Sequence, residues 1–363
     1  MNRVLVVGAG FAGATCARRL ADSDVLIDII DQREHVGGNA YDHRDDNGIL
    51  IHKYGPHLFH ANDKRIIEFL SRFTNWRFYE HRVLVKDKKK LIPFPINRLT
   101  LETIYDKPFS QEEAKEYLES VKIDIPNIYS SEDVVLSSVG YELCELFFRN
   151  YTKKQWGVDL SELSAGVAAR IPTRTNDDDR YFTDAYQFMP LNGYTSLFSN
   201  MLDHPNITLL LGTDYFDMRD QEQYDHIVYT GKVDQYFNYK YGKLPYRSLR
   251  FEHETLEGVG HFQAVGTVNY PNEEEFTRIT EFKHLTGQID KSTSIVREYP
   301  CSEGDPFYPI PRQENWDMYR MYKKDVESTQ NVTFVGRLAE YKYYNMDQVV
   351  ASALSKSSKI LEQ

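Results

Sequence analysis

At 363 residues the chain is too long for one simple core, so two or three domains are expected. Hydrophobic residues at 41% and charged residues at 27% describe an ordinary globular protein, and the net charge of −11 excludes the basic surface that a nucleic-acid binder needs. Three widely spaced cysteines (Cys16, Cys144, Cys301) offer neither a disulfide framework nor a metal framework and fit reduced thiols.

Arg3 to Gly8 is a short apolar run like a strand buried on both faces of a parallel sheet. It starts without a basic leader or an apolar signal region, and no apolar run reaches membrane-spanning length, so a cytoplasmic location is expected. A helix is predicted over 11–21 and a second strand over 25–30, closing a βαβ unit. The stretch 34–62, rich in Gly, His, Asp and Asn, reads as an ordered functional loop. A hairpin is predicted over 83–95, with Lys86, Lys88, Lys89 and Lys90 at a solvated tip. Helices follow near 111–121, 131–139 and 140–150, separated by Asp, Asn, Ser and Pro. Residues 173–185, with Asp177, Asp178 and Asp179, read as exposed acidic surface. Strands are predicted at 206–211 and 226–230, and antiparallel sheet over 245–300. A buried strand reaching Gly336 and a helix over 346–361 end the chain. The fold class is therefore α/β: a discontinuous Rossmann-type domain with a helical insert and an antiparallel β-sheet domain. The 26 tyrosines suit either core filling or pockets for nucleotides and sugars, since a phenol joins an apolar face to a hydroxyl.

Gly8-Ala9-Gly10-Phe11-Ala12-Gly13 places GxGxxG between a strand and a helix. Gly8 permits the turn, Gly10 lets backbone approach a pyrophosphate, and Gly13 lets helix and strand pack closely. Asp31 ends the second strand, where an acid takes ribose hydroxyls. Arg33 and then Gly37-Gly38-Asn39-Ala40 extend this to a pattern that resembles the FAD fingerprint of flavoproteins. Gly336-Arg337 with Met346 occupies the place of the second FAD signature. Phe11 completes the predicted cofactor contacts.

Further motifs run in order along nearly the whole chain. They include His52-Lys53-Tyr54-Gly55-Pro56-His57-Leu58-Phe59-His60, Tyr151-Thr152-Lys153-Lys154-Gln155-Trp156-Gly157, Arg170-Ile171-Pro172-Thr173-Arg174, Thr277-Arg278-Ile279-Thr280-Glu281 and Phe307-Tyr308-Pro309-Ile310. Together they resemble the bacterial UDP-galactopyranose mutases. The resemblance implies interconversion of UDP-galactopyranose and UDP-galactofuranose, with galactofuranose supplied to cell-surface polysaccharide. Reduced FAD would act as nucleophile on the anomeric carbon, with no net redox change. It implies that Arg170 and Arg278 grip the diphosphate, since guanidinium makes bidentate charge-assisted bonds to phosphate. Trp156 and Tyr151 would hold the uracil, Tyr181, Tyr308 and Tyr343 the phosphates and sugar, and His60 would stand by the flavin. A homodimer, a separate flavin reductant and a mobile lid near 166–180 are implied as well. The expected division is 1–78, 191–240 and 313–363 for the FAD domain, 96–165 for the helical domain, and 79–95, 166–190 and 241–312 for the sheet domain. Asn345 stands where many members carry Asp, keeping an acceptor but losing the charge, and His81 stands where some carry Asn. Two other readings are a flavin oxidoreductase of the amine-oxidase type, which needs no diphosphate clamp, and a non-enzymatic nucleotide-sugar or FAD binder.

Overall fold

The fold comes from a computed structural model that describes residues 2–218 and 223–362. Its first layer is a five-stranded parallel sheet in the order Ile207–Leu211, Leu26–Asp31, Arg3–Val7, His226–Tyr229, Val332–Phe334. Val4, Leu5 and Val6 are all fully buried, which explains why this strand is apolar throughout rather than alternating. The helix Phe11–Ala21 covers one face and packs against the helix Met346–Leu361. Segments from both ends of the chain therefore pack together. Gly13 is what allows the close approach: a Cβ there would lie 1.8 Å from the Gly8 carbonyl oxygen.

The second layer is a seven-stranded sheet in the order Tyr308–Pro309, Tyr246–Leu256, Thr293–Cys301, Arg278–Glu281, Thr267–Asn269, Val83–Asp87, Lys90–Phe94. It corrects the expectation of a purely antiparallel sheet, because Thr267–Asn269 pairs with Val83–Asp87 in parallel. The helical insert lies between these two strands in sequence, so the chain returns in the same direction. The predicted hairpin is present, and Lys88 and Lys89 are exposed at its tip. Lys90 is not free, since its Nζ donates to the carbonyls of Thr103 and Ile104 at 2.9 and 3.1 Å.

The insert packs Leu101, Ala114, Leu136, Val139, Leu143 and Phe147 into one core with Val83, Val85, Ile92 and Phe94 of the hairpin. Ser110 and Ser130 start two of its helices with reciprocal capping boxes, completed by Glu113 and Asp133. The expected break near residue 140 occurs inside the run Ser131–Cys144, at Gly140 with φ 74°. A Cβ there would sit 2.2 Å from the Val121 carbonyl oxygen, so both space and conformation demand glycine.

Three features depart from the sequence reading. The helix Gln313–Ser328 was not foreseen; only Asn315 and Tyr322 are buried, so it carries no broad apolar stripe. The short strands Phe59–Ala61, Trp76–Phe78 and Tyr186–Pro190 form a sheet too brief to leave a periodic signal. The acidic triplet is pinned rather than free: Asp177 pairs with Arg98, Asp178 with Arg180, and Asp179 with Arg82. Among the described residues, no helix is long and apolar enough to cross a membrane.

His52, His57 and His81 are held neutral, chiefly by burial, with pKa values lowered to about 3. His35, His226 and His253 are lowered in the same way, whereas His284, though burial lowers it most, is raised overall by the combined bonds to Glu281 and the Gln263 carbonyl and the Glu281 charge. Below the ordinary value of 6.5 the unfolded chain therefore binds more protons than the folded one. Stability that is full above pH 6.5 should fall between pH 6.5 and about 5, before ordinary carboxylates protonate. Thermal melts at pH 7.5 and 5.5 check this; an unchanged midpoint with no proton uptake on unfolding would refute it.

Candidate functional site

A cavity of about 460 Å³ opens at the carboxyl ends of the parallel strands. Its wall includes Gly8, Gly10, Phe11, Asp31, Arg33, Gly38, Asn39, Gly336, Arg337 and Met346. Gly13 is not on the wall; its place is under the strand, where it sets the helix packing. Gly10 caps the helix Phe11–Ala21 without a side chain, so the helix N–H groups and positive dipole end face the cavity. Gly8 takes φ +101°, and a Cβ on it would strike Thr230 Oγ1. The loop carrying Gly37 and Gly38 is tied to this turn, since the Gly37 N–H donates to the Ala9 carbonyl at 2.9 Å.

Asp31 accepts the Ala9 N–H at 2.8 Å on one oxygen and the Arg33 N–H at 2.9 Å on the other. Each oxygen keeps a second lone pair, which suits vicinal ribose hydroxyls. Arg33 is itself oriented, donating to Asn39 Oδ1 at 3.0 Å and lying 4.4 Å over the Tyr54 ring. Arg337 donates to the carbonyls of Phe307 and Tyr344 at 3.0 and 2.8 Å. The lining thus has the glycine cradle, helix terminus and acidic strand end that a dinucleotide requires.

The histidine on this wall is His57, not His60. His57 Nδ1 lies 3.0 Å from the Gly55 carbonyl, which only accepts, so the proton sits on Nδ1. With its pKa held near 3 by burial, by His52 and by the Arg337 and Arg278 charges, the ring is neutral. Its Nε2 is therefore a bare acceptor. Sequence reasoning quoted His57 in its motif without selecting it; the His52 and His57 pair, joined by the His57 N–H to His52 Nδ1 bond at 3.0 Å, was the available signal. His60 instead faces Asp184, with Nδ1 to Oδ2 2.9 Å, and its ring stacks on Phe182 at 3.8 Å.

A second constellation adjoins the first. The helix Asn150–Trp156 carries Tyr151 and Trp156. Trp156, Tyr308 and Tyr343 form an aromatic triangle with centroids 5.4 to 5.9 Å apart. Arg170 lies 4.3 Å over the Tyr343 ring and donates to Asn345 Oδ1. Asn345 thus meets Arg170 with a neutral acceptor, while its side chain also caps the last helix. Arg278 pairs bidentately with Glu298, Nε to Oε1 2.7 Å and Nη2 to Oε2 2.9 Å, leaving its Nη1 edge for another anion. Burial opposes the charge on Arg278, but Glu298 more than compensates and raises its pKa. Desolvation pushes Tyr151 and Tyr181 up, and Tyr308 up to about 12, against the pull of Arg278. All three stay neutral phenols that can donate to phosphate without adding charge.

Arg247 was not foreseen. It is buried, and its guanidinium donates to the carbonyls of Gln155 and Lys154 at 3.0 Å each, closing the helix that presents Trp156. No local motif announces such a cap. His81 is buried beside Tyr181, and Tyr79 bonds its Nδ1 at 2.9 Å.

A family model described as UDP-galactopyranose mutase matches residues 146–343, and one described as an NAD(P)-binding Rossmann-like domain matches 6–73. The dTDP-fucopyranose mutase of Escherichia coli is 36% identical, over 98% of this chain and 97% of its own length. A probable UDP-galactopyranose mutase of Klebsiella pneumoniae is 36% identical over 99% and 95%. The crystal structure of a reduced UDP-galactopyranose mutase shares the fold at TM-score 0.80, with 15% identity over 100% of this chain and 96% of that one. A putrescine oxidase shares it more distantly, at TM-score 0.60 and 13% identity. The family match over 146–343 and the full-length relatives at 36% identity show that this chain belongs to the UDP-galactopyranose mutase family, and is an isomerase with FAD as cofactor.

Proposed function

We propose that the chain interconverts UDP-galactopyranose and UDP-galactofuranose by ring contraction, with no net redox change. The observation that carries this reading is Arg337. It lines the dinucleotide cavity and also lies 5.4 Å from the Tyr308 ring of the aromatic triangle, so the sugar end of a ligand held there meets the cofactor. FAD, bound and reduced, supplies an electron-rich ring nitrogen for the anomeric carbon. The chain supplies position and charge. Arg278, oriented by Glu298, and Arg170, arriving on the segment 166–180 that we take as the lid, would stabilise the departing diphosphate. Tyr151 and Trp156 would hold the uracil, and Tyr181, Tyr308 and Tyr343 the phosphates and sugar. His57 offers its Nε2 lone pair to an N–H or O–H at the cofactor wall, and His60 would keep its ring in place through Asp184.

Cell-surface polysaccharide is the destination this product suits. A cytoplasmic homodimer served by a separate flavin reductant remains our reading of the setting, and the three-part division 1–78 with 191–240 and 313–363, 96–165, and the remainder is our reading of the domains. The E. coli relative, by its name, acts on dTDP-fucopyranose, so the second reading is the same ring contraction on that nucleotide sugar.

Gly10→Val should give a folded protein purified without flavin, because the added methyls fill the space between Gly10 and Gly38, where a Cβ already lies 3.6 Å from the Gly38 Cα. Full flavin absorbance in this variant would place the cofactor elsewhere. Arg170→Ala should lower kcat/KM by about tenfold to more than a hundredfold, the worth of a charge-assisted bond, with flavin content unchanged. For Arg278 the informative change is Arg278→Lys, which keeps a charge beside the buried Glu298 yet lacks the fork, and a similar loss is expected. Wild-type rates in either variant would remove that residue from the site.

The reaction class is tested by reducing the enzyme anaerobically and adding many equivalents of UDP-galactofuranose, with dTDP-fucofuranose in parallel. The expected result is many turnovers to the pyranose with the flavin still reduced, and no turnover by oxidised enzyme. One flavin reoxidised per product, or equal activity of oxidised enzyme, would show an oxidoreductase. Turnover of the fucose nucleotide alone would establish the second reading.

A further inference from the structure

Outside the residues assigned to the cofactor cavity and the aromatic constellation, one cluster brings together side chains that bind metals. His261 lies in the loop before the strand Thr267–Asn269, Glu281 ends the strand Arg278–Glu281, and His284 stands on the following short helix Phe282–Thr286. One ligand atom from each lies within 4.8 Å of the others. Glu281 is fully buried, and its carboxylate is fixed by the N–H groups of Phe262 at 3.0 Å and Gln263 at 2.9 Å and by the Thr293 hydroxyl at 2.6 Å. It still faces both imidazoles: His261 Nδ1 is 3.2 Å from Oε1, and His284 Nε2 is 3.3 Å from Oε2. The Gln263 carbonyl oxygen is 2.9 Å from the same His284 Nε2.

Each imidazole nitrogen thus stands about one tetrahedral edge, about 3.3 Å for ligands about 2.0 Å from a zinc-sized ion, from its own oxygen of Glu281, so the three groups need only small rotations to share one ion. The loop is also built to keep them. Lys283 Nζ holds it through the Gly260 carbonyl at 2.6 Å, and the Gln263 side chain donates to the carbonyls of Val265, Gly266 and Ile279. Of the three, only His261 reaches solvent substantially, which leaves an entry path. Two imidazoles with one carboxylate suit a late first-row divalent ion better than calcium or magnesium, which prefer all-oxygen shells.

We propose that His261, Glu281 and His284, with the Gln263 carbonyl oxygen, form a binding site for a divalent ion of the zinc type. Binding replaces the proton that His284 Nε2 now donates to Gln263, and that proton leaves to solvent. The ion would clip the loop around residues 260–266 to the strand that begins with Arg278. It takes no part in the ring contraction, and the site stands whether or not the substrate reading holds.

The test uses the FAD-loaded protein, stripped with a chelator and titrated with Zn²⁺ by calorimetry and with Co²⁺ by visible absorption beyond the flavin bands. One ion per chain should bind with Kd about 10 µM or tighter, releasing protons and raising the thermal midpoint. His261→Ala, an exposed change that should leave folding and flavin content intact, should weaken binding about tenfold or more, and so should His284→Gln. Absence of stoichiometric binding by either ion, or wild-type affinity in both variants, would overturn the proposal.

Discussion

The pairing of Glu298 with Arg278 organises the site. Glu298 is almost wholly buried, and a carboxylate in that position is tolerable only with a bidentate partner. The pair joins two neighbouring strands of the seven-stranded sheet and aims the guanidinium at the tyrosine cluster. Glu298 also abuts the histidine loop. A Cβ on Gly55 would lie 3.4 Å from the Glu298 carboxyl carbon and 2.7 Å from the Phe251 ring, while Gly55 has φ +77°. The same Gly55 carbonyl sets the tautomer of His57 on the cofactor wall. One buried charge thus connects Arg278 to the cofactor cavity.

Around this pair the two halves of the site are positioned by different physics. The cofactor half depends on backbone: close approaches at Gly8 and Gly13, a helix terminus, and one carboxylate that fixes its own loop before meeting a ligand. The half around the aromatic triangle depends on side chains brought from several separate segments, with Arg247 capping the helix that presents Trp156. Such a half is adjustable. Two relatives whose names specify different nucleotide sugars share the same identity to this chain, as expected where specificity lies in side chains and the cofactor frame is constant.

The abundance of tyrosine has two explanations, and both operate. Tyr229, Tyr322 and Tyr341 are buried in a core with Phe334 and Leu244, where Tyr322 satisfies its hydroxyl on the Gly242 carbonyl at 2.7 Å. Tyr151, Tyr181 and Tyr308 gather near Arg278. In both settings desolvation keeps the phenol protonated, but in the first it fills volume, and in the second it supplies neutral donors beside a cation.

Local signals carried the parts of this protein that are local. The βαβ unit was legible because doubly buried strands must be continuously apolar and GxGxxG must stand between strand and helix; the last helix was legible from its amphipathic period. The break at Gly140 falls at the boundary expected between 131–139 and 140–150, although its cause is the conformation only glycine takes there. Tertiary structure decided what depends on distant partners. The parallel pairing of Thr267–Asn269 with Val83–Asp87 and the polar helix Gln313–Ser328 leave no periodic trace. That His57 lines the cofactor wall while His60 turns to Asp184 is set by where the folded chain carries the two rings, and the neutral state of His57 chiefly by its burial. Arg247 and the Glu281 cluster are likewise unmarked, because a buried polar group finds its partner through space, and periodicity records only which face is buried.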